Sequence, residues 1–157
     1  MPAELLAKVT VERRVEFWDR VLKAGRGDRQ RIAVAEVEGT AVGFAWTGPL
    51  RDADNPYAPG DSGELYAINV APRWWGHGIG AVLLETAHES LAAEGFPRAV
   101  LWVVASNIRS RRFYDRAGWL FDGTTREEED EGFLVPEARY VRRISAPARG
   151  SRTRPTP

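Results

Sequence analysis

The chain has 157 residues, with 22 basic and 22 acidic side chains and no cysteine, which fits one domain with a substantial core. Balanced charge recommends neither nucleic acid nor an anionic membrane as partner, and the lack of cysteine excludes disulfides, a thiol nucleophile and a Cys-based zinc site. No apolar run approaches the ~20 residues of a membrane span, and the start lacks a basic region followed by an apolar core, so a soluble, cytoplasmic protein is expected.

Val11, Val15, Trp18 and Leu22 recur at helical spacing; with Thr10 as cap and Gly25 beyond the end they predict a first helix. Residues 31–37 and 41–46 read as strands joined at Glu38-Gly39-Thr40 in a hairpin. The stretch 52–63 is polar and rich in Pro and Gly, hence a loop. Residues 65–70 alternate bulky and smaller apolar side chains as a half-buried strand does, and Pro72 stops the ladder.

From Ala81 the spacing turns helical: Leu84, Ala87 and Leu91 share a face, Val82 and Leu83 lie beside them, and His88 is expected at the surface. A strand over 99–105 and a helix over 107–117 follow, with Gly118 suited to the helix end. Further strands are expected at 121–125 and 138–144. The acidic run from Arg126 to Glu131 between them reads as a solvated loop, able also to attract a cationic acceptor. Residues 1–145 are expected to form the domain and 146–157 a disordered tail, with no internal repeat.

The most informative segment lies between the fourth predicted element and its helix. Gly76, Gly78 and Gly80 fall at alternate positions where a strand gives way to a helix, so backbone approaches a ligand closely and the first helical amides attract an anion, most often phosphate. A Walker loop requires Gly-Lys-Ser/Thr, and the only lysines are Lys8 and Lys23. Gly76-His-Gly78-Ile-Gly-Ala81 does satisfy the dinucleotide pattern G-x-G-x-x-A. However, Ala71 to Trp75 separate it from its strand, and the next strand ends in Ser106-Asn107 without a carboxylate for a ribose.

Two motifs in order resemble the GNAT superfamily of N-acetyltransferases. Val70-Ala-Pro72, Trp75-Gly-His-Gly78-Ile-Gly80 and Leu83-Leu84 match the strand, turn and helix of its acetyl-coenzyme A motif. Val100-Leu-Trp-Val-Val104, Asn107, Arg112-Phe-Tyr114 and Gly118-Trp119 match its second motif. Trp75 stands where the family usually carries Gln or Arg. Family members usually begin with a further strand and helix, for which the nine residues before Thr10 are too few, so an N-terminally short domain is expected.

The resemblance implies an α+β fold: a central, mostly antiparallel twisted sheet flanked by helices, with a splayed pair of parallel strands holding coenzyme A. It implies transfer of an acetyl group from acetyl-CoA, without a metal, to a primary amine of a small molecule or protein by direct attack on the thioester, and it allows a homodimer. A catalytically inactive acyl-CoA-binding sensor is the alternative.

Carried over by position, Ile68 and Val70, with Asn69 between them, would pair with the pantetheine arm as an added strand. The segment Trp75, Gly76, His77, Gly78, Ile79 and Gly80 would cradle the pyrophosphate, and Asn107 would contact the pantetheine side. Tyr114 would protonate the departing thiolate and Glu64 would serve as base. Asn107 equally suits a helix N-cap, Tyr114 a packing residue and Glu64 an exposed strand-end carboxylate.

Overall fold

The computed structural model describes the backbone of residues 14–17 and the whole of residues 29–51 and 62–144. Seven strands form one sheet: β1 (Arg14–Phe17), β2 (Arg31–Val37), β3 (Thr40–Pro49), β4 (Ser62–Val70), β5 (Arg98–Val104), β6 (Leu120–Asp130) and β7 (Phe133–Arg143). Among the described residues, two helices, α1 (Ile79–Ala93) and α2 (Ile108–Arg116), interrupt the strand sequence, and a 3-10 turn spans Pro72–Trp74. The spatial order is β1-β2-β3-β4-β5-β7-β6. Every neighbouring pair is antiparallel except β4 and β5.

The β2–β3 hairpin closes as expected, on Glu38 and Gly39, both with positive φ (51° and 77°), the geometry a two-residue turn needs to match strand twist. Three expectations are corrected. Arg14–Phe17 is a strand rather than part of a helix; its backbone pairs with β2 from Arg14 opposite Glu36 to Phe17 opposite Ala33. The segment R-V-E-F also alternates with period two, and the open edge of β2 supplies the partner that decides between the two periods. The remainder of that expected helix lies outside the described residues.

The second correction is the start of β4 at Ser62, within the expected loop; Ser62, Gly63 and Glu64 carry no alternating pattern, but β3 on one side and β5 on the other pair with them. The third is the run from Arg126 to Asp130, which is strand, paired with β7 from Arg126 opposite Glu137 to Asp130 opposite Phe133. The carboxylates from Glu127 to Asp130 do face solvent. Because β6 is the sheet's edge, they discourage a further strand from adding there. The expected tail lies outside the described residues.

One face of the sheet carries the core. Leu83, Leu84, Ala87 and Leu91 of α1 are buried against Leu65, Phe96 and Leu101, and Trp119 and Tyr140 continue the cluster under α2. A Cβ on Gly63 would fall 2.5 Å from Leu91 Cδ2 and 2.9 Å from Phe96 Cδ2, so helix and sheet meet too closely there for any larger residue.

The feature that positions the site is the join of β4 and β5. They pair in parallel for three rungs only, Ser62 with Arg98, Gly63 with Ala99 and Glu64 with Val100. Immediately beyond, β4 carries a bulge: Trp46 faces Ala67 and Thr47 faces Leu65, leaving Tyr66 as the extra residue. A bulge bends its strand and sharpens its twist, and from this point β4 and β5 part. Tyr66 is locked in place by an edge-on contact with Trp46 at 5.2 Å between ring centroids and by donating its hydroxyl to Pro49 O.

Candidate active site

Where the two strands part, a cleft of about 540 Å³ opens. Ile68, Asn69 and Val70 form its strand wall. Trp74, Trp75, Gly76 and Gly78 form the adjoining loop, and Ile79, Gly80 and Ala81 bring in the first turn of α1. The opposite wall is α2, contributing Asn107, Arg109, Ser110, Phe113, Tyr114 and Arg116.

The loop wall is built for an anion. Gly76 and Gly78 hold φ of 79° and 80°, and a Cβ on either would meet nothing within 4 Å. Both glycines therefore serve the backbone path, and the space before them stays open. Gly78 caps α1 without any side chain accepting its first amides, and the first turn holds no acidic residue. The first helical bond runs from Val82 N to Gly78 O at 3.2 Å. Unpaired amides and the positive end of the helix dipole thus face the cleft together.

The α2 wall is held by polar anchors. Asn107 Oδ1 accepts from Ser110 N at 3.1 Å, capping the helix. Arg111 donates to Tyr140 Oη and to Ala105 O, both at 2.9 Å. At the far end Tyr114 O accepts from Trp119 N at 3.0 Å. The Tyr114 ring lies 6.3 Å from both Trp119 and Tyr140, and burial pushes its phenol up to about 12. At neutral pH the phenol therefore keeps its proton, and Tyr114 lines the cleft.

Of the residues named from sequence, Ile68, Asn69, Val70, Trp75, Gly76, Gly78, Ile79, Gly80, Asn107 and Tyr114 all line this one cleft. Two do not. His77 turns its ring toward Trp74, 5.3 Å between centroids, and its Nδ1 is buried with no hydrogen-bond partner among the described residues. Glu64 is buried at 3 % exposure on the paired end of β4 rather than in the cleft. Its two oxygens accept from Arg51 N at 3.1 Å, Nε at 3.3 Å and Nη2 at 2.8 Å.

His88 is not a surface residue. Its Nε2 accepts from the indole of the fully buried Trp119 at 3.0 Å, and burial, helped by Arg142, pushes it down to about 4. Position 88 follows Leu84 by one turn of α1, which carries it against Trp119, just beyond the end of α2.

Ser110, Phe113 and Arg116 also line the cleft, though the sequence singles out none of them, and so does Arg109, which with Arg111 and Arg112 reads in sequence as a solvated helix face able to reach a cofactor phosphate. For Ser110 and Phe113 a signal existed: 107, 110, 113 and 114 share one helical face, so placing Asn107 and Tyr114 at a site carries their neighbours with them. Among the described residues no group of three or more acidic or histidine side chains could hold a metal, and no helix is long and apolar enough to cross a membrane.

Parted parallel strands, an anion-ready helix start and a buried phenol lining the same cleft define an acyl-coenzyme A type of site. The chain belongs to the acetyltransferase (GNAT) family, whose model matches residues 4–119. It is 36 % identical over 95 residues to mycothiol acetyltransferase of Acidimicrobium ferrooxidans, covering 60 % of this chain and 29 % of that protein. The chain thus spans under a third of that relative's length. The ribosomal-protein-alanine N-acetyltransferase of Brucella melitensis superposes with a TM-score of 0.63 at 26 % identity, over 74 % of this chain and 70 % of that one. A Salmonella typhimurium protein solved with its cofactor acetyl-CoA has the same fold, with a TM-score of 0.63 at 20 % identity over 76 % of this chain and 67 % of that one.

Proposed function

We propose that this protein is an acetyl-CoA-dependent N-acetyltransferase acting on a primary amine of a small molecule or a protein. The observation that carries the reading is the single cleft in which the free end of β4, the uncapped start of α1 and the Tyr114 phenol converge. Relatives whose names carry mycothiol in one case and a ribosomal-protein alanine in another support both kinds of acceptor.

In this reading the pantetheine arm lies along Ile68 to Val70 as an added strand. Val70 O already accepts the Trp75 indole N–H at 2.7 Å, which marks where that ladder ends and the phosphate loop begins. The amides from Gly76 to Gly80 hold the pyrophosphate, and Asn107 contacts the pantetheine side while capping α2. The acceptor must arrive neutral, since an alkylammonium with a pKa near ~10.4 has no lone pair to offer.

Its nitrogen then attacks the thioester carbonyl, the carbon–sulfur bond breaks, and Tyr114 donates toward the departing sulfur. The products are the N-acetylated amine and coenzyme A thiol, with the amine's displaced proton balancing the one the sulfur gains. Glu64 is assigned as base on the acceptor side. The Arg51 backbone amide holds Oε1 and the Arg51 guanidinium holds Oε2, so that role requires the Arg51 side chain, 54 % exposed, to turn away and free Oε2 first.

A panel of primary amines (aminoglycosides, polyamines, amino acids and peptides with free N-termini) incubated with acetyl-CoA and read by mass spectrometry tests the reading. An N-acetylated product that requires the protein supports it. Coenzyme A binding with no product across the panel speaks against catalysis.

A further inference from the structure

Trp75 occupies the position where a hydrogen-bonding or cationic side chain would be expected to help hold the pyrophosphate. An indole cannot bind phosphate through charge, yet this one is not merely packing: it is half exposed and lines the cleft. Its N–H is fixed on Val70 O at 2.7 Å, so the ring cannot swing. Over that ring sits Arg109, from the first turn of α2, with its guanidinium carbon 4.4 Å from the ring centroid.

The stack therefore joins the two walls of the cleft at the phosphate loop. Arg109 is exposed, and among the described residues it has no carboxylate partner. An aromatic face holds a guanidinium in place without neutralising it and leaves its N–H donors pointing outward. Those donors form a planar fork suited to two oxygens of one phosphate. The unpaired amides of Gly76 to Gly80 already make the neighbouring space attractive to an anion.

We propose that Arg109, carried on the Trp75 ring, is a phosphate-binding residue of the coenzyme A site, and that Trp75 serves as its platform rather than as a ligand. This inference rests on the acetyl-CoA reading of the cleft. The phosphate it meets belongs to the coenzyme's nucleotide end, either the pyrophosphate or the 3′-phosphate.

The test is calorimetric titration of coenzyme A, dephospho-coenzyme A and pantetheine into the wild type and into Arg109→Ala, Arg109→Lys, Trp75→Phe and Trp75→Ala. Arg109→Ala is expected to weaken coenzyme A about tenfold or more, the usual effect of losing hydrogen bonds to a charged group, and to leave pantetheine unchanged. Lysine should recover only part of the loss, because it keeps the charge without the fork. Trp75→Ala should weaken coenzyme A in the same direction, whereas Trp75→Phe, which keeps a ring under Arg109, should do so less.

Equal weakening of dephospho-coenzyme A assigns the contact to the pyrophosphate; weakening of coenzyme A alone assigns it to the 3′-phosphate. Arg109→Ala protein that binds coenzyme A within twofold of the wild type overturns the inference and leaves the reading of the cleft intact. Wild-type protein that ignores coenzyme A overturns both. Arg109 is exposed and bonded to no other described side chain, so its variants should fold, and an unchanged melting temperature checks this.

Discussion

Replacing Tyr114 with Phe removes one oxygen atom and nothing else. The ring keeps its neighbours Trp119 and Tyr140, and no described group hydrogen-bonds the hydroxyl, so stability should change by no more than about 0.5 kcal/mol. The kinetic effect follows from acidity. The phenol stands at about 12, whereas a thiol has a pKa near ~8.5. Moving the proton fully onto the sulfur is therefore uphill by ~3.5 pKa steps, or ~5 kcal/mol.

Such a phenol assists by donating a hydrogen bond to the sulfur as charge develops, with the proton following late. The expected loss thus falls at the low end of general-acid effects, about 10²-fold in kcat or ~2.7 kcal/mol, with the KM for acetyl-CoA nearly unchanged. Thiol release followed with a chromogenic disulfide gives both parameters. Because the phenol stays protonated through neutral pH, the wild-type and Tyr114→Phe pH profiles should run parallel from pH 6 to 9. A kcat within threefold of the wild type, or a loss confined to KM, refutes the donor role.

Three further outcomes are expected. Gly78→Ala forces a side chain into the left-handed region at φ 80°, which costs about 1–2 kcal/mol, and it should also weaken acetyl-CoA binding about tenfold; unaltered affinity by calorimetry contradicts the loop's role. Arg51→Ala strips two side-chain hydrogen bonds from the buried Glu64 and, discounted for the exposure of Arg51, should cost about 1–2 kcal/mol in urea unfolding. A loss below about 0.5 kcal/mol refutes that coupling.

His88, lowered from 6.5 to about 4 by burial and then by Arg142, contributes stability that is full above pH 6.5 and is lost as pH falls through 4. Protonation also removes the acceptor that holds the Trp119 indole. His88→Gln should flatten that limb of the stability profile, and superimposable acid limbs for the two proteins contradict the assignment.

Much of the fold could be read locally. The β2–β3 hairpin announces itself through alternation and Glu38-Gly39; α1 and α2 do so through helical spacing and an Asn cap. What local pattern could not supply was pairing between distant segments. Gly63 sits in a strand because β5 lies beside it and Leu91 above it, neither visible from its neighbours in sequence. The acidic stretch of β6 shows no strand signature because its side chains meet water while its backbone pairs with β7.

The cleft divides in the same way. Its glycines and Asn107 follow from backbone requirements, and Tyr114 follows from its place in the second motif. The engagement of Glu64 by Arg51 depends on tertiary register, as does the Trp119 indole, whose N–H donates to His88 Nε2. The stacking of Arg109 on Trp75 joins residues 34 positions apart; in sequence Arg109 reads only as one of three arginines, with Arg111 and Arg112, on a solvated helix face from which one could reach a cofactor phosphate.

Titrating acetyl-CoA into the purified protein and then following thiol release on addition of primary amines tests the central claim most directly. The expected result is saturable binding at one site, followed by thiol release that depends on both the protein and an amine. Absence of acetyl-CoA binding, or binding with thiol release that no amine accelerates, contradicts it.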